Sequence, residues 1–283
     1  MSHADRVQGL FELTRPGNAI AAGVLSFIGA FVAEGTAVFS NSGAIGAAIV
    51  TTILATGAGM AINDYFDRDI DRINDPERPI PRGAVAPRTV LIFSLILFAI
   101  AGALALLLSR LATAIAVVNL VALIMYTELF KGLPGVGNLL VSYLGGSTFL
   151  FGAAAVSQVN TPVFVLFLLA ALSTFARELI KDIEDIEGDR EGGMKTLPIT
   201  IGYRPSLLIA LVVLLIAVLA SPIPYLIGIF GIAYLVLVTP AILVTIYAGY
   251  LSVDDPSVGQ SILKYAMYIS AVAFIGGRIS LLL

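Results

Sequence analysis

Two acidic segments hold most of the chemistry this sequence can offer. The first reads Asn63-Asp64-Tyr65-Phe66-Asp67-Arg68-Asp69-Ile70-Asp71. On a helix, Asn63, Asp67 and Asp71 recur at i, i+4 and i+8 and stand one above another on a single face. Arg68 and Arg72 repeat at the same spacing on the adjacent face, and Pro76, Pro79 and Pro81 then forbid the helix to continue. In the second segment Glu178, Asp182, Asp185 and Asp189 fall at i, i+4, i+7 and i+11, again one stripe. Of nineteen acids, six lie between Asp64 and Glu77 and seven between Glu178 and Glu191, so the negative charge is concentrated at two places.

Carboxylates stacked at i, i+4 repel by a few tenths of a kcal/mol per exposed pair. The penalty grows as water is removed. Two such stripes therefore call for a cation. The chain has no cysteine, and its one histidine, His3, sits in a polar N-terminal tail, which excludes thiolate and imidazole metal sites and histidine acid–base catalysis. Oxygen-only ligands favour a hard ion, Mg²⁺ or Ca²⁺. Mg²⁺ takes one or two carboxylates and completes its shell with water and substrate phosphates, and arginines beside the ligands suit a phosphate. The bland alternative is a solvated acidic helix end that keeps a loop wet. Two clusters with the same stripe geometry and flanking Arg or Lys favour chemistry on a diphosphate at a membrane surface.

The elements that position these residues are membrane helices. The 283 residues are 58% hydrophobic and only 12% charged. Long runs of Leu, Ile, Val, Ala and Phe, without strand-like alternation, imply lipid-solvated helices and not a barrel. At about 20 apolar residues per crossing, the spans fall near 18–34, 43–65, 89–108, 111–128, 137–156, 162–182, 205–220, 226–250 and 261–281. The expected fold is all-α, a polytopic membrane bundle of about nine transmembrane helices. Pro222 and Pro224 mark a break between two spans, and Pro240 a kink. The first eighteen residues carry Asp5 and Glu12 and do not resemble a signal peptide. Val7, Leu10, Phe11 and Leu13 suit an interfacial helix ending near Pro16. With nine spans and a cytoplasmic N-terminus, only Arg110 and Arg278 of the sixteen basic residues fall outside, which puts both acidic segments on the cytoplasmic face of the cell membrane.

At these residues the sequence resembles the UbiA superfamily of intramembrane prenyltransferases. That family carries an Asn/Asp-x₃-Asp-x₃-Asp motif after its second helix and an Asp-x₃-Asp motif after its sixth. Asn63-x₃-Asp67-x₃-Asp71 and Asp185-x₃-Asp189 match both, in order. The resemblance covers essentially the whole chain. Glu12-Leu-Thr-Arg15-Pro-Gly-Asn18, Arg78-Pro-Ile-Pro81-Arg-Gly83 and Arg177-Glu178-Leu-Ile-Lys181-Asp182 look like the archaeal branch of the family. In the quinone-forming branch an aspartate usually stands at the place of Glu178 and often a tyrosine at that of Lys181.

The resemblance implies a single membrane-embedded domain over 1–283, with motif loops at 63–88 and 178–204 and helices around a central cavity. It implies Mg²⁺-dependent transfer of a geranylgeranyl group from its diphosphate to geranylgeranylglyceryl phosphate, the second ether bond of archaeal lipids. The partners are thus an isoprenoid diphosphate donor, a lipid-like phosphate acceptor and membrane lipids, with no nucleic acid. An aromatic or tetrapyrrole acceptor is the alternative within the family. A cation-coupled transporter is the alternative outside it, disfavoured because the centres of the spans lack charge. Asn63, Asp67 and Asp71 are assigned to one Mg²⁺, and Asp185 and Asp189 to a second. Arg68, Arg72, Lys131 and Lys195 are candidate diphosphate contacts, Arg15 and Arg177 candidate acceptor-phosphate contacts, and Asn18, Tyr126 and Lys181 further substrate contacts. Glu178 and Asp182 either orient ligands or accept the hydroxyl proton. Tyr65, Phe66, Tyr126, Phe130 and Tyr143 offer π faces to an allylic cation. Gly57, Ala58, Gly59, Gly145 and Gly146 either allow close helix approach or leave room for a prenyl tail.

Overall fold

A computed structural model describes residues 3–282, apart from the side chains of His3, Ile73, Asn74 and Glu128. The expectation for the side chain of His3 thus lies outside the described residues. The chain opens with α1, His3–Leu13, whose Val7 and Phe11 face outward while Leu13 is buried, as an interfacial helix requires. Gly9 of this helix fits against Val85, and Arg82 reaches Glu12, so α1 is fastened to the loop that follows the first acidic segment.

Then come α2 (Pro16–Glu34), a tight 3₁₀ turn at Gly35–Asn41, α3 (Ser42–Asn74), α4 (Pro87–Ala105) and α5 (Arg110–Met125). A wide turn at Tyr126–Phe130 leads to α6 (Val136–Ala155) and α7 (Thr161–Glu184). The short α8 (Ile186–Glu191) and α9 (Leu197–Ile201) precede α10 (Tyr203–Ala220), a single turn α11 (Ile223–Leu226), α12 (Ile232–Leu251) and α13 (Pro256–Ile279). The break at Pro222 and Pro224 is where the prolines put it, and Pro240 lies inside α12. The expected span 226–250 begins too early. Gly228 takes φ 73° there, and the helix starts only at Ile232.

Among the described residues, seven helical segments are long and apolar enough to cross a membrane, against the nine spans expected. The difference has two sources. Pro16–Arg72 runs on through the 3₁₀ turn and counts once, although it contains α2 and α3. Arg110–Met125 is apolar but has only 16 residues, so length and composition leave the number at seven. Leu95, Leu208, Leu215, Val236 and Leu243 point outward from these helices, as lipid-facing side chains do.

The bundle is tied together where α2 crosses α6. A Cβ on Gly29 would lie 2.1 Å from the carbonyl oxygen of Phe149, and one on Gly152 only 1.8 Å from that of Ser26. Each helix thus offers a glycine to the other's backbone, so the two axes approach as membrane helices do through small residues. Around that crossing Ile28, Val32, Phe149, Val163, Leu166, Phe230, Tyr234 and Phe274 form the largest buried cluster. Those side chains sit near the C-terminal end of α2 and the N-terminal end of α7. They pack the half of the bundle away from the acidic segments.

Candidate active site

The other half of the bundle is hollow. A cavity of about 700 Å³ lies between α2, α3, α5, α6 and α7, and Asn63, Asp67 and Asp71 line one wall of it. The helix runs to Asn74 before the proline-rich loop stops it, so all three residues share one helical face. The opposite wall holds Glu178, Lys181, Asp182, Asp185 and Asp189. Here α7 ends at Glu184, and the chain turns at Asp185 (φ −87°, ψ 5°) into α8. The second stripe is therefore not one uninterrupted helix. The Asp189 N–H still donates to the Asp185 carbonyl at 2.9 Å, so the spacing carries through the turn and both aspartates face the cavity.

On the first wall each acid has partners. Asp67 accepts from Asn63 Nδ2 at 2.7 Å and pairs with Lys131. Asp71 accepts from Arg78 Nη1 at 2.8 Å, and the same guanidinium reaches Asp64 at 3.4 Å and Asp75 at 3.1 Å. Arg15 closes this network with a 2.8 Å bond to Asp64. To do so Arg15 takes the left-handed conformation (φ 43°, ψ 65°), which costs a non-glycine residue about 1–2 kcal/mol. Pro16 then starts α2 with its N–H missing where none is needed. Lys131 follows the wide turn at Tyr126–Phe130, and its neighbour Gly132 accepts from the Lys195 N–H at 2.9 Å, which ties the two motif loops together.

On the second wall the acids are less neutralised. Asp182 accepts from Asn138 Nδ2 at 2.8 Å, and Glu178 from Arg177 Nη1 at 2.6 Å. Neither Asp185 nor Asp189 has a cation within 4 Å among the described residues. Burial, opposed by Lys181, raises the Asp185 carboxyl above its ordinary range. Burial, and then the charge of Asp185, pushes Asp189 up to about 6.

No three acid or imidazole side chains among the described residues converge into a ready-made metal cage. The pairs Asp67 and Asp71 on one wall and Asp185 and Asp189 on the other give two carboxylates each, with Asp67 drawn to Lys131 and Asp71 to Arg78. That number suits Mg²⁺, which leaves the rest of its shell to water and phosphate oxygens. Asn63 Oδ1 supports the fit: it is buried, has no hydrogen-bond partner and is an acceptor only. An orphaned oxygen beside the Asp67 carboxylate is what a hard cation would satisfy.

The expected substrate contacts divide. Arg15, Asn18, Tyr126, Lys131, Arg177 and Lys181 line the cavity together with Glu178 and Asp182. Arg68, Arg72 and Lys195 do not. Arg68 lies over the Tyr65 ring at 5.0 Å and donates to the Tyr65 carbonyl, Arg72 pairs with Asp69 in solvent, and the Lys195 side chain is exposed. Arg68 and Arg72 occupy the face of α3 next to the one that lines the cavity, and Lys195 lies in the loop between α8 and α9. Of the aromatics expected to face a cation only Tyr126 lines the cavity; Tyr65 packs edge-on to Phe66, and Tyr143 edge-on to Phe167. Phe151 lines the deep end without having been singled out. The small residues divide as well. Gly59 and Gly145 line the cavity, whereas Gly146 admits the backbone of Phe167, and Ala58 is fully buried. Arg78, Asp64 and Asn138 carry much of the site's electrostatics. Sequence reasoning gave none of them a role, although Arg78 stood within a quoted segment.

The family pattern described as the UbiA prenyltransferase family matches residues 22–272. The chain belongs to this family. It is accordingly a multi-pass membrane prenyltransferase with an all-α fold, as the sequence led us to expect. A relative named digeranylgeranylglyceryl phosphate synthase, from Natronomonas pharaonis, is 59% identical over 276 residues, covering 98% of this chain and 99% of the relative. A solved structure concerned with digeranylgeranylglyceryl phosphate synthase in membranes is similar with TM-score 0.78 at 36% identity, over 97% of this chain and 99% of that one. A UbiA homologue from Archaeoglobus fulgidus, solved bound to GPP and Mg²⁺, shares the fold with TM-score 0.69 at 18% identity, over 95% of this chain and 98% of that one.

Proposed function

We propose that this chain transfers a geranylgeranyl group from its diphosphate to the free hydroxyl of geranylgeranylglyceryl phosphate, releasing pyrophosphate and a proton. The observation that carries the reading is the convergence of two acidic walls and Lys131 on one cavity, in a chain so similar to the Natronomonas synthase. Asn63, Asp67 and Asp71 would hold one Mg²⁺, and Asp185 and Asp189 a second. Metal held there would supply positive charge to the pyrophosphate as the allylic C–O bond breaks. Lys131 shares its charge between Asp67 and the diphosphate. Arg78 holds Asp71, and through it the first wall, in place. Glu178 and Asp182, between the two ends of the site, are the side chains placed to orient the acceptor or take its hydroxyl proton. The cavity follows α3 from Asp71 to Thr51, 20 residues or about 30 Å at 1.5 Å per residue, along Leu120, Leu123, Leu144 and Phe151. These apolar side chains, with Thr51, Thr52, Thr148 and Asn119 among them, would take a prenyl tail and keep water from the allylic cation. The whole of 1–283 acts as one domain in this reading. Counted over nine spans, fourteen of the sixteen basic residues fall on the side of the motif loops and the N-terminus, which supports a cytoplasmic face for them.

Mass spectrometry of products tests the acceptor. Purified enzyme, offered geranylgeranyl diphosphate with either geranylgeranylglyceryl phosphate or an aromatic acid, should prenylate only the former. Product from the aromatic acid alone would replace the reading with its quinone-branch alternative.

The metal assignment has a separate thermal signature. The raised Asp189 carboxyl favours its proton in the folded state, so that proton is bound as pH falls through about 6 and competes with a cation. Added Mg²⁺ should therefore raise the Tm of EDTA-treated enzyme clearly at pH 7.5 and much less at pH 5.5. An equal rise at both values would argue against Asp189 as a ligand.

A further inference from the structure

Among the cationic groups that the mechanism leaves without a role, Lys264 has an unusual partner. Lys264, on α13, donates from Nζ to Asn18 Oδ1 at 3.1 Å, and no carboxylate lies within 4 Å of it among the described residues. One helical turn before it, Gln260 Oε1 accepts from Arg177 Nη2 at 2.9 Å. Arg177 gives its Nη1 to Glu178, while its Nε is buried and has no partner. Asn18 and Arg177 both line the cavity, so α13 presents a lysine and an amide, at i and i+4, to the cavity residues of α2 and α7. Here, among the described residues, Arg177 is paired with Glu178 and Lys264 with no carboxylate, while Asp64 is matched by Arg15 and Arg78, and Asp182, one turn beyond Glu178 on α7, accepts from Asn138.

A half-buried lysine held only by a neutral amide is costly, and so is a buried guanidinium N–H with no acceptor. Both needs are met by one anion with several oxygens. From this geometry we infer that Lys264, Gln260, Arg177 and Asn18 form the seat of the acceptor's phosphomonoester, separate from the diphosphate site. The inference rests on the proposed function and deepens it. The position suits the acceptor's chemistry. Glu178 lies seven residues, or about 10 Å of helix, before Asp185. In geranylgeranylglyceryl phosphate the reacting hydroxyl is on the carbon next to the one that bears phosphate. A phosphate held at Lys264 therefore directs that hydroxyl into the interval occupied by Glu178 and Asp182, toward the donor. Gln260 fixes the Arg177 fork so that its Nε stays free for a phosphate oxygen. Lys264 supplies the charge that a phosphate, more than a neutral acceptor, would require.

Steady-state kinetics of Lys264→Met and Lys264→Arg test the inference. Lys264→Met should raise the KM for geranylgeranylglyceryl phosphate by about ten- to a hundredfold, the worth of one charged hydrogen bond, and leave the KM for geranylgeranyl diphosphate unchanged. Lys264→Arg should restore most of the loss. Inorganic phosphate should inhibit the wild-type enzyme competitively with the acceptor and do so much more weakly in Lys264→Met. An unchanged acceptor KM, a raised donor KM, or a fall in kcat alone without rescue by arginine would overturn the phosphate seat while leaving the proposed function standing. A wild-type enzyme that ignores this acceptor would overturn both.

Discussion

Asp67→Ala and Asp185→Ala should each lower Mg²⁺-dependent prenyl transfer by about a thousandfold or more, with helical content little changed. The magnitude follows from what each carboxylate does. Asp67 is a buried anion that orients Asn63 and holds Lys131, so its loss removes a metal ligand and misplaces a cation. Removing one preorganised electrostatic contact to a developing charge costs about 10²–10³ in rate, and a metal that no longer binds costs more. Asp185 has no such ion pair to lose, so its variant reports on ligation alone. Asp67→Asn sharpens the test, since it keeps the shape and removes only the charge. Turnover assays at saturating donor check all three. Near-normal rates in both alanine variants would withdraw the metal sites.

Gly152→Leu should fail to accumulate as folded enzyme, and Gly152→Ala should lose about 3 kcal/mol or more of stability. The alanine methyl would lie 1.8 Å from the Ser26 carbonyl oxygen and 2.6 Å from its carbonyl carbon, with no flexible side chain to move aside. Relief means separating α2 from α6, which also undoes the Gly29 contact with Phe149 and opens the largest core cluster. Overpacking of a close-packed site typically costs 1–3 kcal/mol, and a backbone collision lies at the top of that range. Gly102→Ala on α4 is the control, because nothing lies within 4 Å of its added Cβ and alanine is the better helix former. Thermal unfolding in detergent should separate the two; a Gly152→Ala midpoint equal to that of Gly102→Ala would contradict the crossing.

What the sequence made legible was local. Asn63, Asp67 and Asp71 share a face because helical periodicity fixes it, and the prolines from Pro76 onward fix where the helix ends. The break at Pro222 follows from the same chemistry. The second stripe was read correctly in its spacing, although the turn at Asp185 has no breaker residue to announce it. The rotation of each helix about its axis was not legible. Arg68 and Arg72 repeat as regularly as the acids, yet one rotation carries them past the cavity wall. Nor was Arg78, which comes seven residues after Asp71, beyond the end of the helix. It returns because Ile80, Ala84 and Val85 pack the loop down on Leu13 and Ala61, a tertiary contact without a periodic signal. Lys264 is further still from any motif, and only the packing of α13 on α2 and α7 brings it to Asn18. The number of crossings stayed at seven by length and composition because α5 is short and the turn between α2 and α3 is helical.

The convergence of the two acidic walls on divalent cations can be seen directly by anomalous diffraction from crystals grown with Mn²⁺ in place of Mg²⁺ and an unreactive analogue of the donor diphosphate. Two peaks are predicted, one among Asn63 Oδ1, Asp67 and Asp71 and one between Asp185 and Asp189, both touching diphosphate oxygens. A diphosphate bound in the cavity with no metal at either wall, or with metal held by other side chains, would contradict it.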